Sequence, residues 1–548
     1  MAQQTFIPEP ATTVSCRLGS VGRSELAFVV FFALSICLVT SLPYAAGHFS
    51  HFPGTVFTDN LGHSFDTNNY LAYINQSASG GWLFRNPMTG EPHSAAFFNV
   101  EWLAIGKLSF LLHVQPAAGM NIARILCLGP MCFAVYWLSS FGSNSVFMRR
   151  IALVAVMAGG GFGWIATVHL LHISFDSSYF LDLTNGNLFP FYWALKLPHF
   201  LFSECFVVLG LCLFLWGERR RRMVYFIGAG ACYMFAGACR PYDMLFLMAG
   251  TVFFLLVDLS LHRSPWVEIA QRSIPIVMCL PLLGYYYWIF KIHPIFRWWS
   301  IPGRPAPSVW LLALGYGLTF VFLVVSLWRI PKWELGYFGR LMLCCVTTAV
   351  LFAYAHRLLH FSFQFATNIL IPIVMIVVGA LEKSIESWQV RHHRARLFII
   401  GLLVVNSFSS IALAGQVFVL SMRGEFRTDG QLLEAYSWLD HNSGAHDVVL
   451  SNFDISSQIP QFSHNSVFCG YDNAVHFDDK LRALQQFLDP RTPSAFREQV
   501  IRQNAIRFVL LTPSEEQRIA LGATSFVKEK FRNNAAVIFL VMAPARRL

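Results

Sequence analysis

The sequence predicts a polytopic α-helical membrane protein of about eleven transmembrane helices, followed by a small α/β domain outside the membrane. Three observations carry this prediction. The chain is 55% hydrophobic and only 13% charged, whereas a soluble globular chain has about 25% charged residues. Apolar runs near the ~20 residues that a bilayer crossing needs recur from residue 26 to residue 420. Near residue 424 the composition changes to that of a water-soluble domain.

The expected spans are 26–46, 119–140, 150–172, 199–217, 223–239, 242–261, 273–291, 308–328, 341–357, 361–381 and 397–420. The first follows a polar leader. Its length exceeds that of a typical signal core, so it reads as a retained helix despite Ala45-Ala46-Gly47. The run 98–114 is short and carries Glu101, Lys107 and His113. If it does not cross, segments 1–25, 141–150, 218–222, 262–272, 329–340 and 382–396 share one side and hold 17 Lys and Arg. The opposite side, apart from the C-terminal domain, holds seven. If it crossed, Arg219 to Arg222 would face outward, against the positive-inside rule. Residues 98–114 therefore read as an interfacial amphipathic helix. The loops 47–118 and 173–198 and the C-terminal residues 424–548 then lie outside.

The net charge of +10 sits in short clusters between apolar runs, as in Arg391-His392-His393-Arg394-Ala395-Arg396. Such clusters are topology signals, and no nucleic-acid partner is expected. Of twelve cysteines only Cys469 falls in the C-terminal domain, and no CxxC pair occurs. Buried small-residue packing is the expected role, with no disulfide framework or zinc site. Gly159-Gly160-Gly161-Phe162-Gly163 lies in an expected span and predicts close helix packing.

The chain thus divides into a membrane domain, 1–423, and an α/β domain, 424–548. In the latter, 429–443, 478–488 and the segment after Thr512 read as helices, and 448–453, 507–512 and 535–542 as strands. It has no GxGxxG and no phosphate-binding loop, so no independent chemistry is assigned to it.

Ionisable residues in a membrane protein are costly unless used or solvated. The first outer loop carries Asp59, Asp66, Glu91 and Glu101. Asp66 precedes Thr67-Asn68-Asn69-Tyr70-Leu71-Ala72-Tyr73-Ile74, an amphipathic helical stretch. An acid there stabilises a helix start by itself. Glu91 and His93 sit on the turn Asn86-Pro87-Met88-Thr89-Gly90-Glu91-Pro92-His93, where plain solvation is the simpler reading. Arg240 and Tyr242 lie in Cys239-Arg240-Pro241-Tyr242-Asp243, and His356 and Arg357 in His356-Arg357-Leu358-Leu359-His360, both between spans. Each Arg offers a planar fork suited to phosphate. Each also suits snorkelling to headgroups, or pairing, with Asp243 the obvious partner of Arg240. His199 opens a span, with Glu204 about one turn deeper.

The first loop resembles that of GT-C-type membrane glycosyltransferases, close to a poorly characterised bacterial group. The string is D-x-x-x-Y-L-A-Y-I from Asp66, then G-x-W-L-F-x-N-P-x-T-x-E-P-H ending at His93. Leu197-Pro198-His199-Phe200 and the stretch from Ala435 to Phe487 add to the likeness. There are departures. The first loop has no DxD, and Gln364 is followed by Phe365 and Ala366 where the group carries a basic pair.

The resemblance implies transfer of a sugar from a polyprenyl-phosphate carrier to a glycan, lipid or protein acceptor, at the outer face of a bacterial inner membrane. It implies Asp66 as catalytic base and Glu91 as second catalytic acid, positioning the acceptor or, alternatively, a divalent cation. Asp59, His93, His199, Arg240, Tyr242, His356, Arg357 and Gln364 are the expected substrate-binding residues. No residue is assigned as a metal ligand. The competing readings are a transporter or flippase of a lipid-linked or anionic substrate, for which the chain lacks an internal repeat, and a non-catalytic relative.

Overall fold

A computed structural model describes residues 19–62, 65–167, 180–261, 265–299, 306–329, 336–359, 361–387 and 392–542. Seven of the described helices are long and apolar enough to cross a membrane, the first being Arg23–Phe49 and the last His393–Met422. An eighth candidate is the pair Val309–Tyr316 and Leu318–Trp328, bent by 109°. Met223–Cys239 and Tyr337–Ala353 are apolar but shorter, at 17 residues each. The chain is an integral, multi-pass membrane protein. Val100–Leu112 has 13 residues, about 20 Å at 1.5 Å per residue, too short to span.

The segments expected to share the basic side do meet. Arg149 pairs with Glu25 at 3.0 Å, and Glu382 accepts from the Ser145 amide at 2.9 Å. Arg272 pairs with Glu218 at 2.6 Å and with Asp258 at 2.7 Å, and Arg340 lies 3.5 Å from Asp258.

The expected span 150–172 needs correction. Its helix stops at Met157 and the glycines leave helical geometry; 168–172 lie outside the described residues. The freed amides find tertiary partners. Gly160 donates to the Asn406 carbonyl at 2.8 Å, Phe162 to that of Leu314 at 3.1 Å, and Gly161 and Gly163 to Asp182 Oδ2 at 2.8 and 3.0 Å. A Cβ on Gly161 would sit 2.1 Å from the Gly315 carbonyl oxygen. Irregular backbone in a bundle persists only when its polar groups are satisfied in this way. Helix packing by small residues is therefore not what this glycine run does.

The C-terminal α/β domain is built on a five-stranded sheet in the order Ser466–Val467, Val448–Leu450, Ile506–Leu511, Val537–Val541, Val527–Arg532. The first three strands are parallel and the last two pairings antiparallel. Its apolar face buries Leu450, Val509, Leu511, Val537 and Phe539. The expected helices and strands are present at slightly shifted ends. Helices Phe453–Phe462 and Ser494–Gln503 and strand Val527–Arg532 were not anticipated.

The domain is stapled to the membrane part. Thr55–Phe57 pairs antiparallel with Arg427–Asp429. Arg427 donates to the carbonyls of Gly47, Ser50 and Thr55 at 2.7–3.0 Å. Helix Phe453–Phe462 packs on the loop helix Phe65–Ala78, with Asn68 Nδ2 donating to Ser457 Oγ at 3.0 Å. At the far end of that helix, His464 bridges Asp440 and Ser79.

Candidate active site

Helix Phe65–Ala78 buries Leu71, Ala72, Tyr73 and Ile74 and leaves Asp66 exposed in its first turn. An acid there is favoured by the helix dipole. The buried face stacks Tyr73 on Trp102, ring centroids 4.8 Å apart. Asn99 caps the next helix by accepting from the Glu101 and Trp102 amides, and donates to the Cys239 carbonyl at 2.7 Å. That last bond ties the loop to the peptide that carries Arg240.

These elements line a cavity of 640 Å³. Asp66, Asn69 and Tyr70 line it from the loop helix, and Asn99 and Trp102 from the second loop helix. His199, Arg240, Tyr242 and Gln364 line it from the membrane bundle. Phe453, Tyr471, Asp472 and Phe477 line it from the C-terminal domain. Aromatic rings make up most of the wall; the charged lining groups are Asp66, Arg240 and Asp472.

Arg240 is 5% exposed and heavily held. One guanidinium nitrogen lies 3.2 Å from Asp243 Oδ2 and 3.8 Å from Glu204 Oε1. The other donates to Gln364 Oε1 at 3.3 Å and Thr367 Oγ1 at 3.4 Å. Its plane sits 3.9 Å from the Phe200 ring centroid. Asp243 also accepts from Ser203 at 2.5 Å and from Asn368 at 3.0 Å. A buried Arg fixed on this many partners is a preorganised cation at the cavity wall. The His199 ring rests 4.6 Å from that of Tyr70.

Other expected site residues lie elsewhere. Glu91 is not among the cavity's lining residues. It pairs with Lys480 at 2.6 Å and accepts from the Thr89 hydroxyl, clamping the loop to the C-terminal domain. His93 folds its own turn, accepting from the Asn86 amide at 2.9 Å and donating to the Glu91 carbonyl at 2.7 Å. Burial holds its imidazole below the ordinary value, in keeping with a neutral ring that does both. Asp59 pairs with His48 at 2.8 Å and lines a separate pocket with Lys196. His356 and Arg357 are exposed in a turn and do not line the cavity. The sequence reading therefore brings Asp66, His199, Arg240, Tyr242 and Gln364 to one place. It missed Tyr70, Asn99, Trp102, Tyr471 and Asp472. Gly470-Tyr471-Asp472, a polar turn beside the domain's buried strands, was the available signal.

Glu91→Gln is expected to lower the melting temperature in detergent while leaving any transfer rate intact, because Lys480, 7% exposed, loses its counter-charge. A collapse of transfer at unchanged stability would return Glu91 to the chemistry.

Glu101, next to the lining residue Trp102, is 1% exposed, and neither carboxyl oxygen has a hydrogen-bond partner among the described residues. Burial pushes its carboxyl from 4.5 up to about 8, opposed by the Arg240 charge. The folded protein thus holds a proton that the unfolded chain releases above 4.5. Stability from this group is complete below 4.5 and is lost as pH rises through about 8. Glu101→Gln should therefore raise the melting temperature over wild type at pH 8–9, with the difference shrinking towards pH 5; an equal difference at both would refute the assignment.

Among the described residues no group of three or more His, Cys, Asp or Glu is arranged to hold a metal ion.

No protein-family model and no curated protein sequence matches this chain. Solved structures do. The Archaeoglobus fulgidus oligosaccharyltransferase tethered with an acceptor peptide superposes with TM-score 0.57 at 12% identity, over 89% of this chain and 69% of that one. ArnT from Cupriavidus metallidurans, bound to undecaprenyl phosphate, superposes with TM-score 0.53 at 13% identity, over 96% of this chain and 99% of that one. This chain has the GT-C fold. The GT-C likeness expected from the first loop thus holds at the level of the fold, and it extends through the C-terminal domain, since nearly the whole of both ArnT and this chain is matched.

Proposed function

We propose that this GT-C protein transfers a sugar from a polyprenyl-phosphate carrier to a hydroxyl-bearing acceptor at the outer face of a bacterial inner membrane. The observation that carries the reading is that Asp66 and Arg240 line one cavity, walled by the bundle on the membrane side and by the C-terminal domain on the other. Asp66 takes the proton of the acceptor hydroxyl. The freed oxygen attacks the anomeric carbon, and the bond from that carbon to the phosphate oxygen breaks. The lipid phosphate leaves with the electron pair and gains one negative charge, which Arg240 stabilises. The aromatic walls suit sugar faces and the first isoprene units. The neighbours' lipid-linked and acceptor-bound states, undecaprenyl phosphate in ArnT and a peptide in the oligosaccharyltransferase, support this class of substrates.

The test is transfer by the purified protein in liposomes, with labelled polyprenyl-phosphate sugars, a panel of acceptors, and arms with and without chelator. Transfer that requires Asp66 supports the reading. Neither transfer nor hydrolysis of the lipid-linked sugar by folded protein would favour the transport or non-catalytic alternatives.

A further inference from the structure

A carboxylate exposed in the first turn of a loop helix is a poorly aimed base. Its side chain samples several rotamers, and ordering it costs free energy in each turnover. A base acts well only when a lone pair is held within hydrogen-bond reach of the proton it removes. Something must therefore hold Asp66. Among the described residues its hydrogen-bond partner is the Tyr471 hydroxyl, which donates to Oδ1. Tyr471 lies 405 positions away in sequence, in the C-terminal domain.

The segment that carries Tyr471 is itself fixed. Gly470 N donates to the Met88 carbonyl at 3.1 Å, and Asn86 Nδ2 to that of Asn473 at 2.9 Å. Val475 N donates to Thr89 Oγ1 at 3.1 Å. Around the pair, Phe65 and Phe453 pack with ring centroids 4.8 Å apart. Burial, and then the Asp66 charge, pushes the Tyr471 hydroxyl far above its ordinary value, so it keeps its proton and remains a donor.

We infer that Tyr471 is a positioning residue of the active site: it locks Oδ1 of Asp66 and leaves Oδ2 to meet the acceptor hydroxyl. The C-terminal domain thereby completes the catalytic centre rather than merely covering it. This inference rests on the transfer reading above and on Asp66 as its base.

The experiment compares wild type, Tyr471→Phe and Asp66→Asn in the liposome transfer assay, with kcat and the KM for the lipid-linked sugar measured separately. Tyr471→Phe removes one hydroxyl and keeps the ring in the wall. Its kcat should fall about 10- to 100-fold, the scale of a misplaced catalytic group. Its KM for the lipid-linked sugar should stay within about twofold, because contacts common to ground and transition states are kept. Its melting temperature should match wild type. Unchanged kcat overturns the inference. A raised kcat also overturns it, since Tyr471 would then compete with the acceptor for Asp66. So does a loss shared among kcat, KM and melting temperature, which marks a packing role. Full transfer by Asp66→Asn, or none by wild type, overturns the transfer reading and this inference with it. Loss in Asp66→Asn alone overturns only the role of Tyr471.

Discussion

Asp66→Asn should reduce kcat by about 10²- to 10⁴-fold, the usual contribution of a positioned general base, with little change in melting temperature. The two effects separate because Asp66 is exposed at the cavity wall and buries no charge. Asn still fits the first turn, and it retains an oxygen that can accept from Tyr471. What is lost is the ability to take up a proton. The measurement is single-turnover transfer beside a thermal melt. A variant that melts like wild type and transfers at the wild-type rate would move the base to another acid, Asp472 being the other carboxylate on the same wall.

Arg240→Met should have a double effect. Removing one partner from a buried ion pair costs about 3–5 kcal/mol, because the remaining charge is left in low dielectric. Here Asp243, fully buried, would keep Ser203 and Asn368 but lose its cation, and Glu204 lies beside it. The single variant should therefore be strongly destabilised as well as inactive. Arg240→Met combined with Asp243→Asn removes both charges and should recover most of the melting temperature. Transfer should stay lost in the double variant, since the leaving phosphate still lacks its cation. Recovery of both stability and transfer would show that Arg240 serves the fold alone.

Much of this architecture was legible in the chain. Apolar runs and the Lys and Arg bias located the helix groups that meet on the basic side, as the Arg272 and Arg149 networks show. The Cys239-Arg240-Pro241 junction marked a cation at helix ends, and Asp66 an acid at a helix start, where that residue type is favoured. What escaped was tertiary by nature. Glu91 reads as a free loop acid until Lys480, 389 positions on, arrives beside it. Tyr471 sits on a polar turn that marks a place but not a role, because its role lies in its contact with Asp66. The Gly159–Gly163 run sits in apolar sequence and reads as helix; its amides are satisfied by Asn406, Leu314 and Asp182, which no local period announces.

The stapling of the C-terminal domain has a bearing on how substrates come and go. Arg427 binds three carbonyls near the first span, and helix Phe453–Phe462 packs on a loop helix. A roof anchored along two edges resists lifting. In the proposed reaction a lipid-linked donor would then reach the 640 Å³ chamber from the side, its tail staying in the bilayer while its head passes between helices. Turnover on such a plan is paced by the parting of side walls, and bulk in the carrier's first units, rather than its length, would set the toll.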